Sequence, residues 1–193
     1  MKARKFSDFF LANCALVAIM GLMPVANAQA DTNPEIFWEE QRPTGKWRLV
    51  QNDELCNVEF LLNEPSGRYI GVSWLSSGQI LVSVTNPDDL VPTAKVGEKN
   101  RDNWPRFNFT FTMDRDGQSS SAATPMIKMK RLRNWQFIGP VSESWLAGFA
   151  LSRSIKATRV GTERAISFDF GAGGNKLAMD KLRECATRLP KTG

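Results

Sequence analysis

From Lys46 onward, apolar and polar positions alternate with a period of two, the spacing a half-buried strand requires. Trp47 and Leu49 take one phase against Lys46, Arg48 and Val50. Cys56, Val58, Phe60 and Leu62 then take one phase against Asn57, Glu59 and Leu61. Pro65, Ser66 and Gly67 supply turn chemistry. Ile70, Val72 and Trp74 alternate with Gly71 and Ser73, Ser76-Ser77-Gly78 reverses the chain, and Ile80, Val82 and Val84 return as the second strand of a hairpin. After a polar connection over residues 86–103 comes the clearest strand. Phe107, Phe109, Phe111 and Met113 share one face, and Asn108, Thr110 and Thr112 share the other. A loop rich in Ser, Gly and Asp follows over residues 114–124. Ile127 and Met129 then open a strand that turns basic at Lys130, Arg131 and Arg133.

Past Val141 the period changes. Residues 141–151 read as a short helix capped by Ser142 or Ser144, with Trp145, Leu146 and Phe149 on one face. Residues 154–159 and 164–170 form another hairpin around Val160-Gly161-Thr162, with Ile166, Phe168 and Phe170 inward. Glycines at 171, 173 and 174 break the chain. A last helix then spans about 175–188 and stops before Pro190, with Ala178, Leu182, Cys185 and Leu189 as its apolar stripe. The expected fold is mainly β: a single antiparallel β-sandwich or open barrel with a short helix and a packed C-terminal helix. An α+β layer with helices on one sheet face is the alternative.

The start of the chain has a different character. Lys2, Arg4 and Lys5 precede an apolar run from Phe9 to Leu22, followed by Pro24 and Ala26-Asn27-Ala28. A basic segment, a short apolar segment and a small-residue site are the parts of a secretory signal. The run falls short of the roughly 20 residues that a membrane-spanning helix needs. Residues 1–28 are therefore expected to be cleaved, after Ala28 or after Ala30, and Cys14 to leave with them. Residues 29–45, with Pro34 and Pro43, read as a polar leader on which Ile36, Phe37 and Trp38 are the apolar positions. Residues 46–193 read as one β-rich domain, periplasmic or secreted.

Composition narrows the chemistry. The whole chain carries a formal charge of +5, and losing Lys2, Arg4, Lys5 and Asp8 takes it to +3, too small an excess to point to nucleic acid. No apolar stretch of membrane-spanning length follows the leader. Histidine is absent, which removes the commonest general base and transition-metal ligand. No cofactor or metal site is expected. Cys56 and Cys185 are the two cysteines left after export, each at the inward phase of its own element. In an oxidising compartment they are expected to form one disulfide closing a span of 129 positions.

Four patterns invite a chemical reading. Lys128, Lys130, Arg131 and Arg133 interleave with Met129, Leu132 and Trp135, which fits either a site for an anionic partner or a solvated edge strand whose lysines oppose sheet pairing. The segment from Phe170 to Asn175 stands where a phosphate loop would, between strand and helix. It lacks the third glycine of G-x-G-x-x-G, and the chain ends one helix later, so it reads as a corner. Asp88-Asp89 and Asp114-Arg115-Asp116-Gly117 lack the distal glutamate of a calcium loop. Trp104, Trp135 and Trp145 near element ends are candidates for a shared aromatic surface.

The C-terminal third resembles small exported bacterial proteins of the invasion-associated locus B type. The likeness is carried by Trp145-Leu146-Ala147-Gly148-Phe149, by residues 154–159, and by Ile166-Ser167-Phe168-Asp169-Phe170-Gly171 leading to Leu177, Ala178 and Leu182. It covers about 45 residues. It departs in the glycine-rich corner and in the placement of Cys56 and Cys185. It implies an exported, β-rich, non-catalytic protein and transfers no binding residue. The expectation is a non-enzymatic binding or envelope assembly protein, with an anionic envelope component or another exported protein as partner. The alternatives are an inhibitor of an exported enzyme, which would present an exposed ordered loop over residues 86–103, and a histidine-independent hydrolase built on Asp169, Glu143 or another buried acid.

Overall fold

The computed structural model describes residues 35–65, 67–85, 90–113, 117–131, 134–172 and 175–190. The expected signal segment and its cleavage site lie outside them, as do Asp88-Asp89, residues 114–116, Arg133 and Gly173-Gly174. All described residues belong to the unit Pro34–Gly193.

The fold is an antiparallel β-sandwich, and two α-helices are assigned among the described residues. Strands β1 (Glu35–Gln41), β2 (Gly45–Gln51), β3 (Leu55–Leu62), β4 (Tyr69–Leu75) and β5 (Ile80–Thr85) run as a meander. β6 (Arg106–Met113), β7 (Gln118–Ser120) and β8 (Thr124–Pro125) follow, then β9 (Ile127–Arg131) and β10 (Asn134–Pro140). Helix α1 (Glu143–Leu151) leads into β11 (Ser152–Arg159) and β12 (Ala165–Asp169), and α2 (Lys176–Ala186) ends the described chain. The first sheet has the order β1-β2-β3-β4-β5-β10-β9 and the second β12-β11-β6-β7, with β8 also paired to β6.

The period-two runs set the facing layers. Trp47, Val58, Phe60, Ile70, Val72, Val82 and Phe137 from the first sheet are buried with Phe107, Phe109, Ile155, Ile166 and Phe168 from the second. Aromatic rings join them. Phe107 of β6 meets Phe137 of β10 at 5.0 Å between centroids, and Phe170 after β12 meets both Trp47 and Phe60. A fully buried phenylalanine contributes about 1.5–3 kcal/mol through apolar surface removed from water.

Each helix covers part of this core. Ser142 caps α1 by accepting from the Trp145 backbone N–H at 3.2 Å, satisfying one of the free donors of the first turn. Trp145, Leu146, Phe149 and Ala150 are its buried positions. α2 packs on β2, β3 and β4 and touches α1. Its buried positions are Ala178, Met179, Leu182 and Cys185, so Met179 joins the expected stripe. Cys56 and Cys185 form a disulfide with Cα atoms 6.0 Å apart, inside the usual range of about 4.4–6.8 Å.

The polar leader expected over residues 29–45 contains a strand. β1 pairs with β2 from Glu35↔Gln51 to Gln41↔Lys46. A bulge between Ile36 and Trp38 breaks the alternation there, leaving Ile36 and Phe37 about half exposed while Trp38 packs on the core. That shift of register is why no period-two signal marks this edge strand.

Candidate functional site

The strand expected to carry the basic cluster is β9, the last strand of the first sheet, where β10 is its neighbour in the strand order. Register sorts its residues. Lys130 lies across from Trp135 and Lys128 across from Phe137, so both lysines share the phase of a core phenylalanine. Lys128 Nζ sits 5.4 Å and Lys130 Nζ 5.8 Å from the Trp135 ring centroid. Two ammonium groups over one indole are attracted by its π face, worth about 0.5–1 kcal/mol each at an exposed site and more where water is excluded. Arg131 occupies the alternate phase, opposite Asn134. Of the five expected residues, Lys128, Lys130 and Trp135 are brought together, and Arg133 lies outside the described residues.

Lys128 departs from the pattern of a solvated strand. It is buried, at 5% exposure, while Lys130 one step of the same phase further on is exposed. The apolar pair Ile127 and Met129 had marked the opposite phase as the inward one. Ile127 is also buried, so both faces of β9 are covered at this point. The backbone around Lys128 is held by the connection preceding β6: Val96 forms a parallel bridge to Lys128, and the Gly97 N–H donates to the Lys128 carbonyl at 2.9 Å.

That bridge builds a cavity of about 320 Å³, lined by Lys95, Glu98, Trp104, Lys128 and Arg159 among others. Its floor is rigid. Leu90 and Val91 anchor the connection in the core, a 3-10 turn at Arg101–Asn103 is capped by the Asn100 side chain, and the Trp104 indole N–H donates to the Glu98 carbonyl at 2.6 Å. Among the described lining residues, three cations from three distant stretches of sequence stand against one carboxylate, Glu98. A cavity walled by low-dielectric protein and lined by an excess of one sign of charge concentrates counter-ions of the other sign. Lys95 and Arg159 were not singled out in the sequence. Lys95 stands in an irregular connection and Arg159 at the end of β11, and only the closure of the sandwich sets them beside β9.

Of the other candidates, Trp104 lines this cavity and takes the Arg101 guanidinium at 5.8 Å from its ring, whereas Trp145 is buried elsewhere, among Phe109, Phe111 and Phe149. Asp169 and Glu143 are both exposed, and the Asp169 carboxylate accepts the Gly171 N–H at 2.9 Å as part of the corner before α2. Gly171 has φ +79°, a backbone conformation that glycine adopts without strain. The buried acid is Glu59, which is ion-paired to Arg48 on β2. Among the described residues no cluster of three or more acidic or cysteine side chains is placed to hold a metal, and no helix is long and apolar enough to cross a membrane. Comparison of the chain with protein-family models, curated proteins and solved structures finds no match.

Proposed function

We propose that this chain is an exported, non-enzymatic binding protein of the cell envelope that takes an anionic envelope component at the cavity of Lys95, Lys128 and Arg159. The observation that carries the reading is the convergence of these three cations, with Lys130 beside them over Trp135, on one cavity whose described lining holds one carboxylate. The basic, apolar and small-residue order of the first 28 residues and the likeness of the C-terminal third to invasion-associated locus B type proteins support export. The partner is a polyanion such as a lipid headgroup layer or an acidic glycan, recognised through charge rather than through a shaped covalent chemistry.

Charge reversal tests this directly. Lys95→Glu combined with Arg159→Glu is expected to weaken co-sedimentation with phosphatidylglycerol vesicles and retention on immobilised heparin about thirtyfold, at roughly 1 kcal/mol for each cation. Vesicles of phosphatidylcholine give the uncharged baseline, and Tm should stay close to that of the parent. Binding of both polyanions undiminished by the double substitution would reject the site. Mass spectrometry of the exported protein should find a chain beginning at Gln29 or Asp31, and a retained Met1 would remove the export reading.

A further inference from the structure

A second cavity shares no lining residue with the first. Its volume is about 660 Å³. It runs between the irregular edge formed by β7, residues 121–123 and β8 on one side, and the segment from Pro140 into α1 on the other. Its walls are mostly small or hydroxylic, including Ser120, Ala122 and Ser144, with Phe111 and Trp145 also lining it, and the one formal charge among its described lining residues is that of Arg101.

Beside this groove the second sheet has an edge that pairs with no further strand among the described residues. β7 pairs only with β6, through Thr110↔Ser120, Phe111↔Ser119 and Thr112↔Gln118. The Ser121 N–H donates to the Phe109 carbonyl, and the Met113 N–H donates to the Gly117 carbonyl. Hydrogen-bonded pairs alternate along an antiparallel ladder, so the N–H and C=O of Gln118 and Ser120 face away from β6. Residues 117–120 are exposed. Edges of this kind are ordinarily blunted by lysine, by proline or by a covering loop. Gln118-Ser119-Ser120 carries neither lysine nor proline. A second irregularity lies at the groove: the Trp145 indole N–H has no acceptor, although Trp145 lines the cavity and is only 4% exposed. A buried donor without a partner costs about 1–3 kcal/mol.

We propose that this groove receives an extended peptide segment of another exported protein, added as a strand to the free edge of β7 and carrying an acidic side chain toward Arg101. The free backbone groups of Gln118 and Ser120 supply the pairing, and the small side chains of the wall leave room for alternate residues of the peptide. A sugar is disfavoured because the aromatic residues of the cavity, Phe111 and Trp145, are 3% and 4% exposed and offer no open face for stacking. Among the described lining residues Arg101 is the only charged one, and it selects an acidic rather than a basic segment.

The test is selection of a phage-displayed library of random dodecapeptides on the purified, oxidised protein, followed by titration of the enriched peptides. Acid-containing peptides should be enriched, and N-methylation of their alternate backbone amides should weaken binding at least about tenfold, the effect of a single lost hydrogen bond or more. Ser120→Pro removes an outward donor without touching the ladder to β6, and Ala122→Trp fills the groove. Each should weaken binding by a similar factor, with Tm confirming the fold. Lys95→Glu with Arg159→Glu should leave peptide binding unchanged, which separates this site from the polyanion cavity. No enrichment, indifference to N-methylation, displacement of the peptides by a neutral oligosaccharide, or dimerisation abolished by Ala122→Trp would each overturn the proposal.

Discussion

Glu59 has none of its side chain exposed, and the Arg48 guanidinium on the adjoining strand position meets it with a hydrogen bond from Nε to Oε1. Across the next strand Glu59 faces Gly71, where a Cβ atom would fall 2.8 Å from Ser83 Oγ and 3.2 Å from Asn57 Oδ1. The missing side chain at 71 thus leaves space in a polar row that runs across β2 to β5. A carboxylate this deeply buried is tolerated because a cation and hydrogen bonds compensate its lost hydration, and removing the cation leaves that cost exposed. Arg48→Met is expected to lower stability by about 3 kcal/mol, seen as a lower urea midpoint at unchanged slope. Adding Glu59→Gln to the same background should recover part of the loss, since the buried charge that Arg48 neutralised is gone. A single variant that melts with the parent would show that Arg48 does not carry this burial.

Among the elements, β8 and β10 approach closely at a glycine. A Cβ at Gly139 of β10 would lie 2.5 Å from the Pro125 carbonyl and 2.8 Å from Met126 Cγ, so only glycine lets the two strands approach at the seam of the sandwich. Gly139→Ala should cost about 1–3 kcal/mol through overpacking. The disturbance should concentrate at β8, where the Met126 N–H, donated to the Pro105 carbonyl, is expected to exchange faster than amides of β3 and β4. Uniform exchange at parental rates would mean that the seam accommodates the methyl group. The contrast between these elements also explains what a sequence reading reaches. Phe107, Phe109 and Phe111 announce β6, and Trp145 with Phe149 announces α1, because burial imposes a period and the residues obey it. β7 and β8 are built from Ser, Gln, Thr and Pro, so they carry no apolar period and were read as loop. β1 was masked by its bulge. Lys128 turns inward because its cross-strand neighbour is Phe137, a consequence of pairing that the residues around it, Ile127 and Met129, argue against. The convergence of Lys95 and Arg159 on it depends on three separate chain segments closing together and leaves no local trace.

On the scale of the whole molecule, the disulfide joins an early strand to the last helix. Cys56 lies on β3 of the first sheet, and Cys185 lies on α2, which follows the second sheet and packs back across β2, β3 and β4. The bond therefore encloses almost the entire sandwich in one covalent loop, with 129 positions between its ends. Constraining a loop of that length in the unfolded chain is worth about 5 kcal/mol in the chain-entropy model, against a total of roughly 5–15 kcal/mol for a typical domain. Replacing both cysteines by serine is expected to lower Tm by about 10–20 °C, at roughly 2–4 °C for each kcal/mol in a domain of this size. The loss should begin at the end of the chain. α2 enters through the corner at Gly171 and is held to the sheet by Ala178, Met179 and Leu182 once the sulfur bridge is gone. Its amides at Leu182 and Cys185 should become the first buried ones to exchange, while those of β6 and β11 at the centre of the other sheet keep their protection. Neither cavity is lined by α2, so polyanion and peptide binding should persist in the doubly substituted protein at temperatures below its melting transition. Equal Tm for the parent and the variant, or loss of protection spread evenly over both sheets, would show that the bond is not what fastens α2 to the sandwich.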